Sequence, residues 1–258
     1  MGSSLVVTTT KAFSLPSPAK INHFLHIVGK RHDGYHLLQT LYQFLDYGDL
    51  LHFELREDNN EIILSRCDLL DIPNENNLIY RAAKALQKKA HCQKGVNINI
   101  EKQIPLGSGL GGGSSNAATT LIALNALWDL NLPVSQLMQL GEALGADVPI
   151  FIFGHSAWGE GIGEKLTPVD LVEPWFMVIT PSCQVMTAHM FADPHLTRNT
   201  PPFKIEALAN DDIHDLLSGF RNDFEPLVRR NYPEVDDAMK WLSNFGKAQL
   251  SGSGASVF

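Results

Sequence analysis

Cysteine is scarce in this sequence, and the few cysteines are scattered. The 258 residues include Cys67, Cys92 and Cys183, which form no CxxC pair and have no histidine at a spacing typical of zinc ligands. An odd and scattered set of cysteines predicts reduced thiols in a reducing compartment, and it indicates no dedicated metal site.

Long apolar runs are also missing. No run approaches the roughly 18 residues that a membrane span needs, and the N-terminus lacks the charged and apolar segments of a signal peptide. A myristoylation motif is not complete, because Val6 stands where serine or threonine is required. We therefore expect residues 1–10 to form a flexible leader, and we expect a cytoplasmic protein without a membrane partner.

An excess of positive charge is missing as well. The 20 lysines and arginines are outnumbered by 28 aspartates and glutamates, and the net charge of −8 argues against nucleic acid as the main partner. A phosphate-bearing small ligand stays possible, because backbone dipoles and a few lysines act locally. The apolar content of 44% is ordinary for a globular protein of one large or two modest domains.

Hydrophobic patterns and turn residues outline the first half of the chain. Asp33-Gly34 predicts a tight turn that exposes Tyr35 and His36, and Asn77 is a plausible N-cap for the helix that follows it. The predicted strands are 15–29, 41–55 (broken at Gly48-Asp49), 96–102 and 150–153, and the predicted helices are 74–90, the stretch after residue 113, and 135–144.

The second half has weaker patterns. Glycines 154, 159, 161 and 163 suggest loosely structured chain, and we place a domain boundary near them. Beyond it we predict a strand at 175–180, a loop through Thr187 and Phe191, a proline-rich link at 200–202, and helices near 211–219 and 223–245.

The most informative stretch is residues 104–122, IPLGSGLGGGSSNAATTLI. Glycine-dense backbone that enters a helix N-terminus is typical of phosphate binding, since absent side chains allow close approach and free N–H groups favour an anion. Ser114 and Ser115 add hydroxyls that can bond phosphate or a phosphate-bound metal. The stretch therefore predicts a nucleotide site.

Several classes of glycine loop can be separated here. Gly107, Gly109 and Gly112 match GxGxxG, but Asp129 falls at the end of a helix, where a dinucleotide-binding fold needs an acid at a strand end. Serine follows Gly113 where a Walker A loop has lysine, and the HRD and DFG motifs of protein kinases are missing. A dinucleotide oxidoreductase is thus disfavoured, and the loop alone indicates a triphosphate ligand but leaves the protein superfamily open.

PLGSGLGGGSSNAA resembles the ATP-binding motif of the GHMP small-molecule kinases, which include galactokinase, homoserine kinase and mevalonate kinase. Three further stretches are similar to motifs of one branch, whose members phosphorylate a cytidine-diphosphate-linked alcohol in non-mevalonate isoprenoid biosynthesis. They are PAKINHFLHIVGKRHDGYHLLQT, LGADVPIFIFG and LSGSGASVF, and the four motifs stand in family order over nearly the whole chain.

This resemblance implies an α+β fold of two domains. Residues 11–160 would form an ATP-binding domain similar to the second domain of ribosomal protein S5, and residues 161–258 a ferredoxin-like C-terminal domain. Family members usually continue past the third glycine motif, so we expect the C-terminal domain to be truncated at Phe258. His23 also departs from the family pattern, because an apolar residue is usual there.

The resemblance assigns the catalytic roles to Lys20 and Asp147. A carboxylate beside the acceptor hydroxyl can orient it and accept its proton, and a nearby ammonium keeps that carboxylate ionised. For the substrate, the family pattern implies that Tyr35 stacks on cytosine, His36 hydrogen-bonds its edge, Phe191 covers its other face, and Thr187 and Asn22 lie nearby.

The resemblance also implies ATP as the phosphoryl donor and Mg²⁺ carried in with it, without a protein metal cage. The expected nucleotide-binding residues are Pro105, Gly107, Gly109, Leu110, Gly111, Gly112, Gly113, Ser114 and Ser115, with Asn77 and Lys102 near the adenine.

Two alternatives stay open at this point. The chain could be a GHMP kinase for another alcohol of the homoserine or mevalonate type, although DGYH argues against substrates that have no base. It could also be a non-catalytic ligand-binding member of the fold, although such a protein should lack Asp147. We expect a monomer or a weak homodimer with a small-molecule substrate.

Overall fold

The structure is a computed structural model that describes residues 11–65, 72–203 and 219–258. The predictions for the leader at 1–10, for Cys67 and for the helix from residue 211 to residue 218 lie outside these residues. In the described part, helices and strands mix in one chain, which confirms the α+β expectation.

The first half contains a six-stranded sheet. Its order is β3-β4-β2-β5-β6, and β1 pairs with β2; only the β3–β4 pairing is parallel. The strands are β1 Ala12–Lys30, β2 His36–Arg56, β3 Ile62–Leu64, β4 Gly95–Glu101, β5 Ala157–Glu160 and β6 Lys165–Pro168.

Seven helices have described bounds. In α1 the buried residues Ile79, Ala82, Ala83 and Leu86 follow helical spacing, and the helix begins after the cap residue Asn77. They are α1 Leu78–Lys89, α2 Gly112–Leu127, α3 Val134–Leu144, α4 Val148–Phe153, α5 Thr187–Ala192, α6 Glu225–Asn231 and α7 Pro233–Leu242.

β1 and β2 form a long antiparallel hairpin that runs through both halves of the molecule. Their register places Asn22 opposite Tyr42 and Leu15 opposite Leu51, with irregularities that let the strands bend. The predicted break at Gly48-Asp49 is wrong, because β2 continues through it. Position 48 requires glycine because a Cβ would lie only 2.5 Å from the carbonyl oxygen of Ser17 in β1.

The stretch IFIF was predicted as a strand and is instead helix α4. Pro149 lies in its first turn, and Gly154 ends it in the left-handed region at φ 75°. These are the ordinary start and stop residues of a helix. A short buried apolar run is consistent with a strand or a helix, so Pro149 and Gly154, and not the apolar pattern, distinguish the two.

The second half packs a separate apolar cluster against the end of β1. Leu25 and Ile27 of β1 join residues from α5, α6, α7 and the chain end in this cluster. The predicted strand at 175–180 is wrong. Within these residues only Ile179 has a β-bridge, which pairs it with Val257. The predicted loop at Thr187 and Phe191 is also wrong, because both residues belong to α5.

Two further expectations can be placed on the fold. His23 is buried, and its Nε2 pairs with the amide oxygen of Gln43 across the hairpin, which satisfies a polar group at an otherwise apolar position. None of the helices in the described ranges is both long and apolar enough to cross a membrane.

Candidate active site

A cleft of about 430 Å³ lies between the first sheet, the glycine loop and the second half of the chain. Segments that are far apart in sequence line it, and most of the predicted site residues are among them. The lining includes Lys20, Asn22, Lys102, Pro105, Gly107, Gly109, Gly111, Gly112, Gly113, Ser114, Asp147, Thr187 and Phe191.

The glycine loop ends directly in helix α2. Gly109 and Gly111 have φ values of 78° and 75°, a region that L side chains rarely adopt. Gly111 is the N-cap of α2 and forms no side-chain cap. The first turn of this helix therefore presents its backbone N–H groups and dipole to the cleft without competition from a capping side chain.

The C-terminal glycine motif packs against this loop. Ser251 Oγ donates to the carbonyl oxygen of Gly109 at 3.1 Å, and Ser256 N–H donates to the carbonyl oxygen of Ser108 at 2.8 Å. A Cβ on Gly109 would come within 2.4 Å of the Ser251 carbonyl oxygen, so this contact requires glycine. Gly252, Ser253 and Gly254 consequently line the cleft, although sequence reasoning placed none of them in the site.

Lys20 and Asp147 meet in this cleft. Lys20 Nζ lies 3.4 Å from Asp147 Oδ2, and their side chains are 3% and 35% exposed. Lys20 Nζ also donates to Asn22 Oδ1 and, at 3.0 Å, to the carbonyl oxygen of Gly109. The ammonium is thus fixed by three partners, while the carboxylate remains open to a ligand.

Tyr42 and Thr40 were missed by sequence reasoning. Tyr42 Oη donates to Asp147 Oδ1 at 3.3 Å, so the carboxylate is held from two sides. Burial raises the pKa of Tyr42 well above its usual value of 10, and the Asp147 charge adds to this, so the phenol stays a donor. Thr40 Oγ1 accepts from Asn22 Nδ2 at 2.8 Å. No sequence pattern identified either residue, because which face of a strand is buried depends on the register of β1 and β2.

A buried carboxylate, Asp49, connects β2 to the glycine loop. Its side chain is fully buried and accepts from Lys102 Nζ at 2.6 Å and from the amides of Gln103 and Ile104 at 2.7 and 2.8 Å. Asn116 of α2 also donates to it, at 2.8 Å. Lys102 lines the cleft, and its bond to Asp49 is a tertiary contact that no sequence pattern predicted.

Three of the predicted nucleotide residues are not among the residues that line the cleft. Ser115 is fully buried and its Oγ accepts from Ser17 Oγ at 2.9 Å, so it differs in position from Ser114, which lines the cleft. Asn77 caps α1 by accepting from Ile79 N–H at 2.9 Å. Leu110 is buried, and its carbonyl oxygen accepts from the Lys20 amide at 3.0 Å.

Of the predicted base-binding residues, Asn22, Thr187 and Phe191 line the cleft, whereas Tyr35 and His36 are not among its lining residues. Gly34 adopts φ 93° in the predicted turn and Tyr35 is 59% exposed, as expected. The prediction that His36 is exposed is wrong, because its ring is buried and stacks on Phe191 with centroids 4.7 Å apart. Thr187 Oγ1 pairs with Ser253 Oγ at 2.6 Å, which joins α5 to the C-terminal glycine motif.

The described residues contain no group of three histidine, cysteine or acidic side chains that could hold a metal ion. Cys92 and Cys183 form no disulfide.

Comparison with protein families gives two matches along the chain. The family model for the GHMP kinases N terminal domain matches residues 77–155, and that for the GHMP kinases C terminal domain matches residues 205–258. Together they cover more than half of the chain and confirm the predicted two-domain GHMP kinase fold.

Similar curated proteins and a solved structure indicate which branch of the GHMP kinases the chain resembles. The 4-diphosphocytidyl-2-C-methyl-D-erythritol kinase of Pseudomonas fluorescens (strain Pf0-1) is 51% identical over 97% of this chain and 85% of its own length. That of Marinobacter nauticus is 53% identical over 95% of this chain and 84% of its own length. The crystal structure of a 4-(cytidine 5'-diphospho)-2C-methyl-D-erythritol kinase is 31% identical, with a TM-score of 0.76 over 95% of this chain and 88% of that chain. At these identities and coverages, the chain belongs to the 4-diphosphocytidyl-2-C-methyl-D-erythritol kinase family of the GHMP kinases.

Proposed function

We propose that this chain transfers the γ-phosphoryl group of ATP to the 2-hydroxyl of 4-(cytidine 5'-diphospho)-2-C-methyl-D-erythritol, a step of non-mevalonate isoprenoid biosynthesis. The observation that carries the proposal is the 3.4 Å approach of Lys20 Nζ to Asp147 Oδ2 in a cleft lined by the glycine loop. Asp147 is the base candidate because the other face of its carboxylate is open to a ligand.

Asp147 orients the acceptor hydroxyl and takes its proton. As the hydroxyl oxygen bonds to the γ-phosphorus, the bond from that phosphorus to the bridging oxygen breaks and ADP leaves. A positioned base of this kind contributes typically about 10²–10⁴ in rate. Lys20 keeps Asp147 in place and, because phosphoryl transfer depends on positioning and electrostatics, supplies fixed positive charge near the reacting oxygens.

The glycine loop is suited to the phosphates of ATP. Side chains at Gly109 and Gly111 would collide with neighbouring groups, and the uncapped start of α2 offers backbone donors. Ser114 lies at the same helix start and is the residue that we assign to phosphate or to a phosphate-bound Mg²⁺. When bound, Mg²⁺ would offset charge on the β- and γ-phosphates.

The other end of the site is suited to a base. Tyr35 presents an exposed ring at the turn, the neighbouring His36 stacks its ring on Phe191, and Phe191 lines the cleft. Stacking on such rings contributes about 1–3 kcal/mol per base. Homoserine and mevalonate have no base, so this end of the site favours a cytidyl substrate. A cytoplasmic monomer or weak homodimer is part of the same proposal.

The test measures ADP release with the cytidyl alcohol, mevalonate and homoserine as acceptors. Turnover is expected with the cytidyl alcohol alone, and turnover with another acceptor in its place would overturn the substrate assignment. Asp147→Asn should keep the KM for ATP and lower kcat by about 10²–10⁴. The matched control is Asp237→Asn, which removes an exposed carboxylate on α7 and should leave kcat unchanged. An unchanged kcat in Asp147→Asn would exclude Asp147 as the base.

A further inference from the structure

Arg198 joins the two sides of the base-binding end, and nothing in the proposed chemistry uses it. Its Nε donates to His36 Nε2 at 3.2 Å, and its Nη2 donates to the carbonyl oxygens of Phe191 and Asp193 at 2.8 and 2.7 Å. Its Nη1 donates to the carbonyl oxygen of Leu196 at 3.1 Å. The guanidinium thus spans from the first residue of β2 to α5.

The bond to His36 selects one tautomer of the imidazole. An arginine N–H is only a donor, so His36 Nε2 must be the acceptor and cannot carry a proton. The neutral ring then carries its proton on Nδ1. Within the described residues, Nδ1 forms no hydrogen bond and is not sealed from solvent, so this donor is available to a ligand.

The surroundings of His36 also favour the neutral ring. Burial lowers the pKa of His36, and the charges of Arg198 and Lys30 lower it further. Among the described residues Arg198 forms no ion pair, and the nearby Asp193 carboxylate pairs instead with His195 and Arg230. The Phe191 ring, stacked on the imidazole with centroids 4.7 Å apart, restricts the orientation of the imidazole plane.

We propose that Arg198 is a positioning residue that holds His36 as the Nδ1–H tautomer, so that His36 donates to an acceptor on the edge of the base. This inference rests on the proposed function, since it takes cytosine as the ligand. Cytosine offers N3 and O2 as acceptors, and a ring fixed as a donor matches either of them. Arg198 acts through His36 and Phe191 and not by contact with the reacting atoms.

The direct test is nitrogen-15 NMR of the imidazole nitrogens, with His36 assigned from its loss in His36→Gln. In the unliganded protein at neutral pH, we expect the Nδ1 signal to be that of a protonated nitrogen and the Nε2 signal that of an unprotonated one. A protonated Nε2 would overturn the proposal. The NMR measurement reports the tautomer of His36 without any turnover. Its result therefore does not depend on whether the proposed function is correct.

Kinetics of Arg198→Met provide the second test. The KM for the cytidyl alcohol should rise roughly threefold to tenfold, which corresponds to one hydrogen bond, with kcat and the KM for ATP unchanged. The NMR signals of His36 should move toward the Nε2–H tautomer. Unchanged signals with a raised KM would mean that Arg198 only supports α5, and would also overturn the proposal.

Arg230→Met is the matched control for both measurements. Arg230 is half-exposed and bonds the Asp193 carboxylate at 3.2 Å, so its removal perturbs the same segment without touching His36. Its variant should keep the wild-type His36 signals and the wild-type KM. An equal change in both variants would contradict a specific role for Arg198.

Discussion

Replacing Asp49 with asparagine tests the link between β2 and the nucleotide loop. The side chains of Asp49 and Lys102 are 0% and 6% exposed, and Lys102 Nζ lies 2.6 Å from Asp49 Oδ2. An asparagine can still accept from the amides of Gln103 and Ile104 with its oxygen. Its NH₂ group would then face Lys102 Nζ and Asn116 Nδ2, which are both donors.

The expected cost follows from the burial of this pair. Removing one partner of a buried ion pair typically costs about 3–5 kcal/mol, which is a large part of the about 5–15 kcal/mol that stabilises most proteins. Urea unfolding followed by tryptophan fluorescence should therefore show a strongly lowered midpoint for Asp49→Asn. Because the loop begins at these residues, the KM for ATP should rise in the same variant.

Two further variants make this prediction refutable. Asp46→Asn removes an exposed carboxylate from the same strand and should change the free energy of unfolding by less than about 0.5 kcal/mol. The double variant Asp49→Asn/Lys102→Met should lose less stability than the sum of its single variants, since the two side chains interact directly. A loss below about 1 kcal/mol in Asp49→Asn would refute the assigned role of the pair.

Three other predictions concern a helix cap, a close contact and buried histidines. Asn77→Ala should lower the free energy of unfolding by about 1 kcal/mol, and Asn77→Ser by much less, because serine can still cap the helix. The KM for ATP should be unchanged in both variants. A raised KM would instead support an adenine contact. Gly109→Ala should raise the KM for ATP sharply, since its Cβ would meet Ser251; ordinary ATP kinetics would contradict the described packing. Burial lowers the pKa of His26 and His36 below the unfolded value of about 6.5. Below about pH 6.5 the unfolded chain therefore binds protons that the folded chain does not, and the free energy of unfolding should decrease as the pH is lowered. Urea midpoints that do not decrease on acidification would contradict this.

Local structure was predictable where the sequence carries its own start and stop residues. Asn77 as a cap and the Asp33-Gly34 turn are where the sequence places them. The segment IFIF was predicted wrongly because four buried apolar residues fit a strand or a helix equally well, and Pro149 and Gly154 were the deciding residues. Gly48 was mistaken for a break because its role, close approach of β1, is a tertiary contact.

The site could be predicted only in part for the same reason. Lys20 and Asp147 are 127 positions apart, and no spacing rule brings them to 3.4 Å; the resemblance to GHMP kinases supplied that pairing. Tyr42 and Asp49 lie within a strand, where a polar residue is usually assigned to the solvent face. Their inward orientation depends on the register of β1 and β2, which is set by the packed sheet.

The most direct test of the central claim is mass spectrometry of the product formed from ATP and 4-(cytidine 5'-diphospho)-2-C-methyl-D-erythritol. One phosphoryl group should be added on the erythritol 2-oxygen for each ADP released, and Asp147→Asn should form almost none of this product. ADP release without a phosphorylated cytidyl product, or full product formation by Asp147→Asn, would contradict the account.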